Sequence, residues 1–261
     1  MNYMSRKFSS KQVEAICIAV KQACDEAGTE AFLIGAQARD LWLYPKISSR
    51  VTKDIDWVVG ANDSAVYQKV HDFLVQKAGF QKTDYNPFKL IDPNGIQLDL
   101  LPMASEELAH FVGLREVLEF GSEKISVNDQ DFQVATLPSI VLLKLIAWEN
   151  LPEYRTKDLE DIYLLLQEHF DADLDKIYEN HLDLFDLFDQ NQLQSLGARV
   201  LGREISEILK SSPFIKNQLL EILSQKEQMA QIIIRKTDET EDSNIIGLLN
   251  ELEKGMREQL E

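Results

Sequence analysis

Three carboxylates stand where strand patterning would place apolar side chains. Asp54 and Asp56 lie two apart in Asp54-Ile55-Asp56-Trp57-Val58-Val59, and Asp99 sits inside Ile96-Gln97-Leu98-Asp99-Leu100-Leu101. Both runs read as strands, in which alternate residues share a face. Asp54 and Asp56 then point the same way, and Asp99 shares the face of Gln97 and Leu101. Acidic residues are depleted in strands, and an ionised one buried without a partner is costly. Three of them meeting on one sheet would repel each other unless a cation lay between them. Mg²⁺ suits such a place, because it takes one or two carboxylates together with substrate phosphates and waters. Two such ions can align an attacking hydroxyl with the α-phosphate of a nucleotide and stabilise departing pyrophosphate. For the Asp pair alone, the plainer alternative is a solvated edge strand.

The segment just upstream sharpens the reading. Phe32-Leu33-Ile34-Gly35-Ala36-Gln37-Ala38-Arg39-Asp40 reads as strand, tight turn and helix start. Small residues at such a turn let backbone N–H groups approach a phosphate, and the helix N-terminus adds a favourable dipole. Many strand–Gly–helix junctions bind nothing. Here Arg50, Thr52 and Lys53 follow, and then the Asp pair. A phosphate cradle, basic residues and paired carboxylates in that order form a more specific combination.

The elements that would position these groups can be read along the chain. Ser9 and Ser10 precede an apolar rhythm at Val13, Ile16, Cys17, Val20 and Cys24 that stops at Gly28, a capped amphipathic helix. Ala31–Ile34 reads as a strand, Ala36 to about Tyr44 as a short helix, and Lys46–Val51 as a polar loop. After the Asp54–Val59 strand, Asn62 or Asp63 caps a helix with Val66, Val70, Phe73 and Leu74 on one face, ending at Gly79. Phe88–Ile91 and Ile96–Leu101 flank Asp92-Pro93-Asn94-Gly95, which predicts an antiparallel hairpin. Weaker strands follow near Lys124–Val127 and Phe132–Ala135. From Pro138 onward the pattern is helical, with Thr156 as an N-cap, a core stripe at Leu164–Leu166, and helices near 191–210, 213–236 and 243–260. The predicted class is α+β: a mixed sheet with flanking helices over residues 1–136, then a mostly helical domain over residues 137–261.

Composition narrows the function. The 261 residues carry 27 basic and 44 acidic side chains, a net charge of -17. Such a surface repels phosphodiester backbones at long range, which argues against coating DNA or RNA, although a local basic patch could receive a nucleic-acid end. Cys17 and Cys24, seven apart in one predicted helix, would lie roughly 10 Å apart and cannot bridge. They read as small core residues of a reducing compartment. The N-terminal stretch has no apolar core of a signal peptide, and no run approaches the ~18 apolar residues of a membrane span. The expectation is a cytoplasmic protein.

At these residues the chain resembles the DNA polymerase β-like nucleotidyltransferase superfamily, through Gly35-Ala36, then Asp54-Ile55-Asp56, then Asp99 on a later strand. Within it, the likeness is to the AbiEii-type nucleotidyltransferases, toxins of abortive-infection and toxin–antitoxin systems. Arg50-Val51-Thr52-Lys53-Asp54-Ile55-Asp56 is similar to their Arg-x-Ser/Thr-x-Asp-Ile-Asp element. Leu142-Leu143-Lys144-Leu145-Ile146-Ala147 and Arg155-Thr156-Lys157-Asp158-Leu159-Glu160-Asp161-Ile162 are similar to their later helical segments. The match covers roughly residues 30 to 166.

The resemblance implies that Gly35, Ala36 and Arg50 lie in the nucleotide site, and that Asp54, Asp56 and Asp99 ligate Mg²⁺ or Mn²⁺. Asp99 would also help deprotonate the acceptor. Lys144 would contact phosphate, and Asp158 would support the nucleotide or acceptor. Ala36 departs from the family's second Gly or Ser and removes a hydroxyl contact, leaving a backbone amide. Arg39-Asp40 is also similar to the turn of CCA-adding enzymes, whose later arginine-rich motif is missing here.

Simpler roles stand beside these. Lys144 could snorkel from a helix surface, Asp158 and Asp161 could serve the helix dipole, and Arg155 and Lys157 could pair with Glu153 and Glu160. His71, His110, His169 and His181 show no metal or triad spacing. Trp42, Trp57 and Trp148 suit cores, Trp57 on the sheet face opposite Asp56. The expected activity is transfer of NMP from an NTP to an acceptor hydroxyl of an RNA end, a protein or a small molecule. The alternatives are a catalytically weak NTP-binding module and an interaction module contacting an antitoxin.

Overall fold

The computed structural model describes residues 6–45, 54–61, 63–103, 113–237 and 242–258. The chain divides into two compact units, Met1–His110 with Val117–Thr136 and Phe111–Glu116 with Leu137–Glu261. The loop expected at Lys46–Val51 lies outside the described residues, as do Arg50, Thr52, Lys53 and His110.

In the first unit the elements run α1 (Lys11–Ala27), β1 (Ala31–Ile34), α2 (Gly35–Leu43), β2 (Asp54–Val59), α3 (Ser64–Gln76), β3 (Gln81–Lys82), β4 (Lys89–Ile91) and β5 (Gln97–Pro102). Then come α4 (Leu114–Phe120), whose first three residues belong to the second unit, β6 (Ser122–Val127) and β7 (Gln130–Ala135). Local chemistry fixes many of the ends. Ser10 Oγ accepts from the Val13 amide to cap α1, and Gly28, with φ 70°, closes it in the left-handed region. Asp63 does the same for α3 by accepting from Val66 N. The β6–β7 turn uses Asn128 and Asp129 at φ 49° and 63°, the pair of positive angles that a tight hairpin needs.

The seven strands form one mixed sheet in the order β3-β4-β5-β2-β1-β7-β6. β2 runs antiparallel to β1 and parallel to β5. The pairing puts Ile55, Trp57, Leu98 and Leu100 on one face, all essentially buried. Helices α1 and α3 cover that face: the Cys17 thiol meets the Trp57 indole, and the Tyr67 ring packs edge-on against Phe88. Cys17 and Cys24 are free and buried, and burial pushes the Cys24 thiol up to about 12, so neither is primed for redox chemistry.

The second unit is helical: α5 (Leu137–Asn150), α6 (Thr156–Ala172), α7 (Leu174–Asn180), a 3-10 turn (Leu182–Leu184), α8 (Leu193–Ile208), α9 (Pro213–Leu223), α10 (Lys226–Ile234) and α11 (Asp242–Arg257). Glycines let backbones touch here. A methyl group on Gly202 would lie 2.9 Å from Met256 N, and one on Gly197 would lie 2.8 Å from Phe170 N. Polar side chains pair among the helices. Arg203 Nη1 and Nη2 donate to Asp183 at 2.9 and 2.6 Å, and His169 Nε2 lies 2.9 Å from Glu204 Oε2.

Two expectations need correction. The helix expected over 213–236 breaks at Ser224-Gln225 into α9 and α10. Thr156 is the first residue of α6, not its cap; Arg155 holds the cap position and gives no side-chain bond. Arg155 Nη1 lies 3.6 Å from Asp158 Oδ2, one turn along the helix.

The buried ionisable groups set a direction with pH. Burial lowers His181 below its ordinary 6.5, so the unfolded chain takes up that proton first and stability falls as pH drops below about 6.5. Burial alone would raise Glu204, but His169, His181 and Lys176 together outweigh it and the carboxyl ends below its ordinary 4.5. Arg203 likewise depresses Asp183. Those carboxylates stabilise above their unfolded values and lose that contribution in acid. The thermal midpoint should therefore hold between pH 7 and 8, fall below about 6.5, and fall more steeply below about 4.5. Thermal melts across pH 4–8 check this; a midpoint that rises on acidification contradicts it.

Candidate active site

The pairing of β1, β2, β4 and β5 builds a row of residues across the sheet. Lys89 lies opposite Asp99, Asp99 opposite Asp56, and Asp56 opposite Ile34. A second row, one step along, runs Ile91, Gln97, Asp54. Directly paired residues share a face, so Asp54, Asp56 and Asp99 all project from the side opposite Trp57. The sheet register thus brings Asp56 and Asp99 together as nearest cross-strand neighbours. Asp54 is exposed at the strand start and faces Gln97.

Gly35 completes this end of the sheet. It follows β1 directly, opens α2 and has φ 70°, an angle that side-chain-bearing residues adopt at a cost. A methyl group there would run into Asp56 Oδ2 and lie 3.2 Å from its Cγ. Only glycine lets the strand-to-helix turn pass so close to the carboxylate. Ile34 provides no side-chain cap to α2, so the amides of Gly35 and Ala36 open the helix without one. Arg39, by contrast, is turned inward: its Nε and Nη2 donate to Asp40 Oδ1 at 2.9 and 2.6 Å.

Sequence reasoning missed the partners of Asp99. Gln97 Nε2 donates to Asp99 Oδ1 at 2.7 Å, and Lys89 Nζ lies 3.2 Å from Asp99 Oδ2. Each carboxylate oxygen therefore has a donor, one of them cationic. The hairpin turn sets this up. Asp92 Oδ1 accepts from Asn94 N at 3.0 Å and Ile96 N at 2.6 Å, and its Oδ2 accepts from Asn94 Nδ2 at 2.9 Å. With the turn pinned at those points, Lys89 must fall across from Asp99.

The donors suit a hard divalent cation: they are carboxylate oxygens on one face, beside a backbone cradle that a side chain would fill. Among the described residues, no three acidic, imidazole or thiol groups already form a cage. Asp99 is engaged on its β4 side by Lys89, which leaves Asp54 and Asp56 as the pair nearest in character to a Mg²⁺ ligand set.

Within the second unit, Lys144 on α5 is held by two carboxylates of α6, 2.7 Å from Asp158 Oδ1 and 2.8 Å from Asp161 Oδ2. Burial would lower this ammonium, but the two acids outweigh it and hold it above its ordinary value. It is not a snorkelling surface lysine. Two of its three N–H donors are committed, and Asp161 has joined Asp158 as a partner that helix-dipole reasoning had left ordinary.

The family described as "Nucleotidyl transferase AbiEii toxin, Type IV TA system" matches residues 22–242. The chain belongs to the AbiEii nucleotidyltransferase family. Its α+β architecture, with a seven-stranded mixed sheet, accords with the expected class. No curated protein matches the sequence. Among solved structures, the antibiotic-resistance factor ANT(2'')-Ia in solution is similar at 17% identity, covering 74% of this chain and 94% of that one, with a TM-score of 0.41. An antigenic nucleotidyltransferase-like protein from Paracoccidioides brasiliensis matches at 16% identity, 81% and 94% coverage, and a TM-score of 0.45. ANT(2'')-Ia in complex with adenylyl-2''-tobramycin matches at 17% identity, 72% and 96% coverage, and a TM-score of 0.42. This AbiEii-family chain is a nucleotidyltransferase. No helix among its described residues is long and apolar enough to cross a membrane.

Gly35→Ala tests the turn. The added methyl must displace the Asp56 carboxylate and strains a positive φ, at about 1–3 kcal/mol. The variant should fold with a lower melting midpoint and lose most of its ability to bind NTP, read by calorimetric titration. Wild-type NTP affinity in a folded Gly35→Ala protein would show that the turn does not serve the ligand.

Proposed function

We propose that the chain transfers a nucleoside monophosphate from an NTP to an acceptor hydroxyl and releases pyrophosphate. The observation that carries this reading is the row Gly35–Asp56–Asp99, a helix N-terminus and two opposed carboxylates on one sheet face. In this reading residues 1–136 are the catalytic domain and residues 137–261 a helical domain.

Asp54 and Asp56 would hold Mg²⁺ or Mn²⁺, which would supply positive charge against the α-phosphate and the leaving pyrophosphate. The Gly35 and Ala36 amides receive phosphate oxygens, and Ala36 provides its backbone N–H alone. Arg50 adds positive charge toward the same phosphates. Asp99, steadied by Gln97, accepts the proton of the acceptor hydroxyl. The new bond joins that oxygen to the α-phosphorus while the bridging oxygen to the β-phosphate leaves with the pyrophosphate. The gain is one of positioning and electrostatics, with no covalent enzyme intermediate. Lys144 and Asp158 are proposed nucleotide-binding residues on the chemistry of their own cluster, in which the ammonium keeps one N–H donor free of its two acids. An antitoxin partner accords with the family description. A reducing cytoplasm accords with two buried free thiols.

The test is incubation of the protein with each radiolabelled NTP, Mg²⁺ and cell extract. Label is expected in an RNA, protein or small-molecule fraction, which names the acceptor class, with release of pyrophosphate. Asp54→Asn/Asp56→Asn should reduce labelling at least about a thousandfold. Equal labelling by that variant contradicts the mechanism.

A further inference from the structure

The ion pair on Asp99 has no role in the family likeness that brought the three carboxylates to notice. Lys89 and Asp99 face each other across the β4–β5 pair, and their side chains are 26% and 19% exposed. Gln97, two residues before Asp99 on the same strand, takes the other oxygen. Asp56 lies across the opposite side of Asp99. Neighbouring strands are about 4.8 Å apart, so one carboxylate sits between a like charge on β2 and an opposite charge on β4.

We infer that Lys89 is the resident counter-cation of Asp99. It occupies the third carboxylate, so that a divalent ion is held by Asp54 and Asp56, while Asp99 is kept apart for the acceptor hydroxyl. The inference rests on the nucleotidyltransferase reading for its purpose, but not for its physics. Without Lys89, Asp99 would face Asp56 with only Gln97 to hold it. Like charges directly opposed across strands are destabilising, and a shared divalent ion would relieve them. The carboxylate would turn toward β2, and a two-carboxylate metal site would become a three-carboxylate one. Such a site binds metal more tightly and leaves no base for the acceptor. Lys89 is thus a positioning residue, which acts on the acceptor through Asp99.

The experiment titrates Mn²⁺ alone into the full chain by calorimetry, for the wild type, Lys89→Met, Lys89→Arg and Asp99→Asn, and for Lys89→Met in the Asp99→Asn background. Lys89→Met should bind Mn²⁺ roughly three- to tenfold more tightly, as expected for losing one positive charge near the site and gaining a ligand. Its NMP-transfer kcat should fall with little change in the KM for NTP. Lys89→Arg should keep wild-type values for both. In the Asp99→Asn background the gain should shrink below about twofold. Unchanged Mn²⁺ affinity in Lys89→Met would overturn the inference. An equal gain in the Asp99→Asn background would overturn it as well, since Lys89 would then act as a bulk charge. Lys89 is a partly exposed sheet-surface residue, and circular dichroism and melting of each variant confirm the fold. If the wild type transfers no NMP while the metal results hold, the enzymatic reading fails and the counter-cation assignment stands.

Discussion

The first unit is organised by an electrostatic conflict, the opposition of Asp56 and Asp99 across a parallel strand pair. Two carboxylates on facing residues of strands about 4.8 Å apart repel, and a fold that keeps them there must provide positive charge. Among the described residues, Lys89 approaches the pair from β4 and the N-terminus of α2 approaches from β1. The rest of the unit sustains the opposition. Apolar side chains on the other face, under α1 and α3, fix which way β2 and β5 present their alternate residues. A slip of one residue would bury the acids. The Asp92 turn holds β4 in register, and the φ of Gly35 lets the helix start against the carboxylate.

The second unit uses the same economy of charge for a different end. Lys144 between Asp158 and Asp161 is an ion taken out of bulk water and matched inside a helical core. Breaking one partner of such a pair leaves a buried charge without compensation, which costs more than the intact pair contributes. Stability and pH response in this unit are therefore tied to specific partners. Gly197, Gly202 and Gly255 let α8 pack closely against α6 and α11.

Much of the candidate site was legible because period-2 alternation is a strong signal. The shared face of Asp54 and Asp56, the placement of Asp99 beside Gln97 and Leu101, and the hairpin at Asp92-Pro93-Asn94-Gly95 all follow from it. The Lys89–Asp99 pair was within reach of the same logic. Counting outward from that turn puts Ile91 against Gln97 and Lys89 against Asp99, but a three-residue strand gives little pattern to invite the count. The two-residue β3 and the seven-residue α4 and α7 are too short to show periodicity. The break between α9 and α10 at Ser224-Gln225 carries neither Pro nor Gly. The grip of two acids on Lys144 depends on how α5 meets α6, a tertiary fact that helix spacing does not contain.

The most direct test of the account is a crystal structure with a non-hydrolysable NTP analogue and Mn²⁺, in which anomalous scattering locates the metal independently of the protein density. The account predicts a Mn²⁺ peak bonded to Asp54 and Asp56, with the triphosphate against the amides that open α2. A triphosphate bound away from Gly35, or Mn²⁺ lying on other side chains, would contradict it.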